Sequence, residues 1–527
     1  MKEIALKPSP RSSERRRDFA AIAVAFATYV LLCIPLRDWL VDDAAISMAY
    51  AANWTAGHGL VAQPGIAPVE GYSNFLWVVV LAVLNAVGAM TPLGIKAVAA
   101  GLVLASLVSL YSTSKLLIPE SWLARAAVPV FVASSSSVVT WTTSGLENPL
   151  TLLLASELLR VVTLACRDAS VPRAIYAGML VAAAAMTRPD GIALAAFPPL
   201  ALALFQRRAW RLRLPYASTI AVLFGAFLAF RYMTFGDWMP NTFYAKQASS
   251  FDLLQSIGAT IDLLWGPFAT VLAIPLLLFL ALLQALQGRE QALLPPLCLM
   301  LVAGGAFALL PMDWMPDRRF GTAFMPAVFL FAGVLISQVD DGRLRNVLLA
   351  ALVLLAVGGN ASRLAQQYRE PTVPVTLVGQ YSKMFDERAR ILGVDKGSVL
   401  MPDIGAALLY SELRVYDLAG LIDPIIARSL HSDHGRLHDY IFEEIRPTFI
   451  RTHGPWAEAA ALDEDPRFRR DYVPIDEGVD EFLADLNVRM KSGDYVRRDV
   501  LEATSDPLML EKLQAVTLAR AAELSDR

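Results

Sequence analysis

The chain is broken into apolar runs long enough to cross a lipid bilayer, and this limits its fold more than any other feature. A helical span needs about 20 mostly apolar residues, because the hydrocarbon core is about 30 Å thick. Candidate runs fall at 19–36, 74–89, 94–117, 125–139, 148–166, 174–187, 191–205, 214–231, 259–283, 293–310, 321–338 and 346–359. Charged residues make up 18% of the 527 and hydrophobic residues 55%, with a mean hydropathy of +0.47. A soluble domain carries about 25% charged residues. The expected class is a polytopic α-helical membrane protein.

Arg11, Arg15, Arg16 and Arg17 precede the first run, and no small-residue cleavage site follows it. That pattern predicts a retained first span that starts in the cytoplasm. The connections "RRAWRLRL" (207–214), "QGREQ" (287–291) and "DDGRLR" (340–345) are basic, so they are placed in the cytoplasm too. The segments "YMTFGDWMPNTFYAKQ" and "PMDWMPDRRF" then face the exterior, as does everything after Asn360. A cytoplasmic start and an external tail require an odd number of crossings. The expectation is about 11 spans, with 125–139 or 174–187, the shortest runs, as a re-entrant or half helix. The orientation implied is a membrane protein with a cytoplasmic start and an external tail.

Beyond 360 the long apolar runs stop. "GSVLMPD", "LRVYDLAG" and "RPTFIRTH" read as strands, "IGAALLYSE" as a helix between them, and "PLMLEKLQAVTLARAAEL" as a closing helix. The domain expectation is a membrane domain over 1–359, with 37–73 as its first external loop, and an external α/β domain over 360–527.

Some function classes drop out. The net charge of 46 minus 49, or −3, gives no reason to expect nucleic acid. Cys33, Cys166 and Cys298 show no CxxC spacing. His431, His434 and His438 could share a helical face, but they lie in a polar, solvated stretch, and no metal site is expected.

The chemistry gathers in the external loops. In the first, Asp42 and Asp43 stand side by side where the first span ends. "AAISMAYAANWTA" follows and reads as an amphipathic helix along the membrane surface, broken by "GHGL" and "QPG". His58, Glu70, Tyr72 and Asn74 complete the polar set of this loop. Other loops supply Arg188 and Asp190, then Asp237, Asn241, Tyr244 and Lys246, then Asp313, Asp317, Arg318 and Arg319. Charges at mid-bilayer cost about 2.5–3.5 kcal/mol on insertion scales, so these groups belong at a membrane edge or in a hydrated cavity. A carboxylate can take a proton from a sugar hydroxyl. Arginine and lysine can bind phosphate. The inventory therefore fits transfer of a sugar from a polyprenyl-phosphate carrier in the bilayer to an external glycan acceptor.

The motifs "DDAAIS", "GHGLV" and "VEGYSNFLW" resemble the first loop of a bacterial GT-C glycosyltransferase group, that of the arabinofuranosyltransferase AftB and the ZomB-like proteins. The likeness continues in order through "WTTSGLENPL", "TRPDG", "FRYMTFGDWMPNTFYAK", "DWMPDRRFGTAFMP" and "DIGAALLYSELRVYDLAGLIDPIIA", across roughly 42–426. The resemblance implies a GT-C fold, a prenyl-phosphate sugar donor and inverting transfer on the external face. It makes an acid of the first loop the general base, Asp42 or Asp43, with Asp42 favoured as the leading acid. It assigns Arg188, Lys246, Arg318 and Arg319 to the donor phosphate. It assigns His58, Glu70, Tyr72, Asn74, Asp190, Asn241 and Asp313 to substrate, with neither metal nor cofactor. Ala49 stands where the group's pattern has an arginine, which bears on the sugar and acceptor rather than on the class. The simpler readings are a solvated helix end for Asp42 and Asp43, an ion pair for Arg188 and Asp190, and an interfacial anchor for Lys246. Glu157 and Arg160, three apart in one run, read as an internal pair. The alternative function is a non-catalytic envelope-assembly protein whose tail binds a partner or glycan.

Overall fold

The computed structural model describes residues 10–205, 211–246, 290–310, 315–479 and 491–525. The chain divides into two compact units assembled from interleaved segments. The first comprises Met1–Trp39, Thr91–Ala229 and Phe251–Thr372; the second comprises Leu40–Met90, Phe230–Ser250 and Val373–Arg527. Residue 360 lies inside the helix Gly342–Arg369, and the second unit takes up the chain again at Val373.

The first unit is helical. Among the described residues, Ser13–Leu36, Pro92–Leu117, Asn148–Arg167, Arg213–Phe235 and Gly342–Arg369 are long and apolar enough to cross a membrane. Trp122–Ser134 and Ser136–Thr143, bent by 53° at the break, make a sixth if the pair is one span. That bend falls in the expected run 125–139, one of the two suspected of not crossing straight. Five further expected runs form shorter apolar helices: Phe75–Ala86 in the second unit, and Val171–Thr187, Pro189–Leu204, Leu294–Ala308 and Met325–Ser337 in the first. The expected run 259–283 lies outside the described residues. The protein is a multi-pass membrane protein.

Small residues bring these helices close. A Cβ on Gly333 would meet Val128 at 2.5 Å. Buried hydroxyls return a hydrogen bond to the preceding turn, as in Ser106 to Leu102 and Thr163 to Leu159, so they need no partner from lipid. Glu157 and Arg160 form the internal pair expected of them, Nε to Oε2 at 2.8 Å.

The second unit is built on a five-stranded sheet. Its strands are β1 (Ser398–Met401), β2 (Arg414–Asp417), β3 (Phe449–Thr452), β4 (Tyr472–Val479) and β5 (Lys491–Arg497). Their order is β2-β1-β3-β5-β4. β1 pairs in parallel with β2 and β3, and β5 runs antiparallel to both β3 and β4. Gly405–Tyr410 leads from β1 toward β2, as its apolar run implied. The closing helix is Met509–Ser525.

The first loop belongs to this second unit. Its helix, Asp42–Thr55, is not the surface amphipathic element expected: Ala44 through Ala51 are all buried. Alanine recurs around this helix, so it can pack on several sides, and an apolar stripe alone did not reveal that. Backbone bonds tie its start to the strap before the next helix, with Asp42 N to Val373 O and Val375 N to Leu40 O, each 2.9 Å. The Gln63 side chain pairs with the edge strand β2, donating to Val415 O at 2.8 Å and accepting from Val415 N at 3.0 Å. It thereby covers backbone groups that an edge strand otherwise leaves open.

Candidate active site

In the second unit the two adjacent acids have different surroundings. Asp42 is 4% exposed. Its Oδ2 accepts from Gly405 N and its Oδ1 from Ala406 N, both at 2.8 Å. These amides open the helix that follows β1. The contact is tight: a Cβ on Gly405 would lie 1.9 Å from the Asp42 carbonyl oxygen. Burial pushes the Asp42 carboxyl well above the usual range, and the charges of Asp403 and Asp43 push the same way against the two amides. Asp43, on the same first helical turn, is only partly buried.

The carboxyl ends of β1 and β3 frame this place. β2 and β3 flank β1 on opposite sides, so the chain leaves the sheet here in diverging directions. Open α/β sheets hold ligands at such switch points. Here the first-loop carboxylate takes the anion position at the helix start. Asp403, just past β1, and His453, just past β3, pair across the crevice at 2.6 Å and stay partly exposed.

A second cluster in the same unit surrounds Glu70. The Arg231 guanidinium grips its carboxylate with Nε to Oε2 at 2.6 Å and Nη2 to Oε1 at 3.2 Å, and both side chains are buried. Burial lifts the Glu70 carboxyl to about 7, with Arg231 pulling the other way. The Tyr72 ring meets Tyr50 edge-on at 4.8 Å between centroids. Asn241 donates to the carbonyls of Gly420 and Leu421 at 2.7 and 2.9 Å, and its backbone N–H reaches Glu70 O at 2.9 Å. The Tyr72 hydroxyl and the Asn241 side-chain oxygen are buried with no hydrogen-bond partner among the described residues. Gly71 must be glycine here, since a Cβ would lie 2.8 Å from the Tyr50 hydroxyl and 3.1 Å from Leu421 O. Asn74 accepts from Ser47 Oγ at 3.0 Å. Asp417, ending β2, accepts from the amides of Ala419 and Ile422, and burial lifts its carboxyl to about 7.

In the first unit, Arg188 is 9% exposed and meets two carboxylates, Glu147 at 2.9 Å and Asp190 at 3.0 Å. Its guanidinium lies 4.0 Å from the Phe320 ring centre. Asn148 donates to Arg319 O at 2.9 Å and Thr322 Oγ1 at 2.7 Å, holding the turn that carries the buried Arg319. Asp317 and Arg318 both take left-handed backbone, at φ 53° and 49°, a strain that clusters at functional turns.

The sequence-predicted residues therefore fall into groups. Glu70, Tyr72 and Asn241 come together in the second unit, and Arg188 and Asp190 come together in the first. Asp42 joins Asp403 and the start of Gly405–Tyr410. His58 is exposed past the end of the loop helix, and Lys246 is exposed at the end of Asn241–Ala245. Asp313 lies outside the described residues. His438 of the histidine set bonds Ala460 O at 2.9 Å, and among the described residues no three His, Cys, Asp or Glu gather as a metal-ligand group. The site reading had not singled out Arg231, Glu147, Asp403, His453 or Gln63. Arg231 carried a signal, a charge inside an apolar run. Asp403 opens the quoted motif "DIGAALLYSE", but its pairing with His453 carried no signal, because only strand pairing brings the two together.

The fold is shared with solved membrane glycosyltransferases. ArnT from Cupriavidus metallidurans, solved bound to undecaprenyl phosphate, superposes with a TM-score of 0.55 at 13% identity, over 90% of this chain and 97% of that one. The archaeal oligosaccharyltransferase AglB from Archaeoglobus fulgidus, solved with an inhibitory peptide and a dolichol-phosphate, gives 0.53 at 10% identity, over 83% of this chain and 69% of that one. No protein-family model matches the sequence, and no curated protein matches it. The architecture is the GT-C membrane fold that the ordered motifs implied. At these identities the likeness is one of fold.

Proposed function

We propose that the chain is an inverting glycosyltransferase that moves a sugar from a polyprenyl-phosphate carrier to a cell-envelope glycan, on the external face of a bacterial cytoplasmic membrane. The observation that carries this reading is the division of labour between the adjacent acids. Asp42 has both oxygens engaged by backbone amides and is pushed toward its neutral form. Asp43 stays partly exposed on the same turn. A general base must lie within hydrogen-bond reach of the acceptor hydroxyl, and Asp42 is buried with both oxygens taken. This reverses the preference for the leading acid: Asp43 is the base, and Asp42 is the anchor that positions it.

In this scheme Asp43 takes the proton from an acceptor hydroxyl as its oxygen attacks the anomeric carbon. The bond from that carbon to the phosphate oxygen breaks, and the carrier phosphate leaves with the electron pair. Attack opposite the leaving group inverts the anomeric centre. Arg318 and Arg319 are assigned to the phosphate. Arg188 already has two carboxylates and is assigned to positioning. The exposed Lys246 suits a lipid headgroup. The Tyr72 hydroxyl and Asn241 oxygen, buried without partners, are assigned to acceptor hydroxyls, since buried polar atoms are ordinarily paired. No metal or cofactor enters the scheme. Resemblance to the AftB-like group makes arabinofuranose the first sugar to test. Mass spectrometry of envelope glycans from a strain lacking this gene checks the reading. One glycan residue should disappear and its polyprenyl-phosphate sugar accumulate. An unchanged glycan profile and carrier pool would overturn it.

A further inference from the structure

The first unit holds a cavity of about 250 Å³ whose lining includes none of the residues assigned above. It lies at the opposite end of Val171–Thr187 from Arg188, because its lining includes Ser170, Arg173 and Ala177 near the start of that helix. Val162, Pro199, Leu202 and Tyr216, each from a neighbouring segment, make its wall apolar. Its polar lining residues include Ser170, Arg173 and Arg213.

These groups suit one kind of ligand. Val171–Thr187 is a 17-residue helix whose N-cap, Ser170, makes no capping hydrogen bond with its side chain. A helix start favours an anion through its dipole, although Pro172 in this first turn has no N–H to offer. Arg173 bonds Asp168 at 2.6 Å, but the Asp168 side chain is 75% exposed, and an exposed pair contributes little. A guanidinium has five donors, so Arg173 can also serve a phosphate. Arg213 is exposed at the start of its own helix. Two arginines and a helix start beside an apolar hollow match a molecule with one anionic group and a hydrocarbon tail.

We infer that this cavity binds an anionic phospholipid of the surrounding bilayer. One acyl chain lies along Val162, Leu202 and Tyr216, and the phosphate sits among Ser170, Arg173 and Arg213. Basic pockets between membrane helices hold acidic headgroups in this manner. The site is independent of the glycosyltransferase reading and stands or falls separately.

The test is native mass spectrometry of the full chain released from nanodiscs of equimolar phosphatidylglycerol and phosphatidylcholine. The wild type should retain phosphatidylglycerol with roughly tenfold preference. The preference should weaken in high salt, as charge screening requires. The double variant Arg173→Gln, Arg213→Gln should fall to parity. Ala203→Phe, which fills the cavity from an exposed position, should lower retention of phosphatidylglycerol while leaving the melting curve unchanged. Equal retention of the two lipids by the wild type overturns the inference, and needs no variant to fold. So does a double variant that keeps the preference, or a wild type that prefers added undecaprenyl phosphate to phosphatidylglycerol.

Discussion

Both units pair buried arginines with carboxylates, as Arg188 does in the first and Arg231 with Glu70 in the second, but the second also holds buried acids on backbone amides. In the first, Arg188 is matched by Glu147 and Asp190, so a cation is fixed between two carboxylates. In the second, Asp42 and Asp417 are held by backbone amides, Gly405 and Ala406 for one and Ala419 and Ile422 for the other. An arginine never gives up its proton in a protein, so the first arrangement is insensitive to pH near neutrality. An amide neutralises a carboxylate only partly, and burial then pushes its proton affinity up. An arginine pair therefore keeps a charge in place in either unit, whereas the amide-held acids of the second can gain or lose a proton.

Removing the cation from the first arrangement has the largest expected effect on stability. Arg188→Met leaves Glu147 and Asp190 without their shared partner, and breaking a buried pair in this way costs about 3–5 kcal/mol. A thermal melt in detergent should show a clear fall in the midpoint. An unchanged midpoint would mean that the pair adds nothing.

A smaller effect is expected where the second arrangement is overpacked. Gly405→Ala puts a methyl against the Asp42 carbonyl at a distance no real contact allows. The backbone must shift, at a cost of about 1–3 kcal/mol. Hydrogen exchange at the Ala406 amide should speed up at least about fivefold, since about 1.4 kcal/mol of lost protection is a factor of ten. Protection equal to wild type would show that Asp42 is not clamped there.

The third effect is a slope. The Asp417 carboxyl is raised from 3.8 to about 7 in the folded chain. The folded state then binds this proton more tightly than the unfolded state does. The stability that results is complete below about pH 4 and is lost as pH rises toward about 7, by at most about 1.4 kcal/mol per pH unit. Asp417→Asn should flatten this part of the stability curve, followed as melting midpoint against pH. A slope unchanged in the variant would move the effect to another group, with Glu70 the next to test.

What the sequence showed follows the same division. Apolar runs are a local signal, and the helices of the first unit lie close to where the runs predicted them. β1, β2, β3 and the helix Gly405–Tyr410 were also legible, as short apolar stretches between turn signals. The antiparallel pair β4 and β5 was missed, because "DYVPIDEGV" and "KSGDYVRR" carry charges that hide their alternation. Asp42 and Asp43 could be selected as a pair. Their difference could not, because the clamp on Asp42 comes from Gly405, more than 360 residues away along the chain. For the same reason Glu70 could be proposed for the site while its partner, Arg231, was read only as part of a span.

One paired measurement separates Asp43 as the base from Asp42 as the residue that holds it in place. Asp43→Asn and Asp42→Asn, each expressed from the native locus, are compared by quantitative glycan mass spectrometry alongside protein level and melting midpoint. The account predicts that Asp43→Asn lowers glycan product about 100-fold or more at normal protein level and midpoint, the loss expected for a missing general base. It predicts that Asp42→Asn lowers the midpoint and leaves product roughly in proportion to the folded protein that remains. Full product from Asp43→Asn, together with its loss from a stably folded Asp42→Asn, would contradict it.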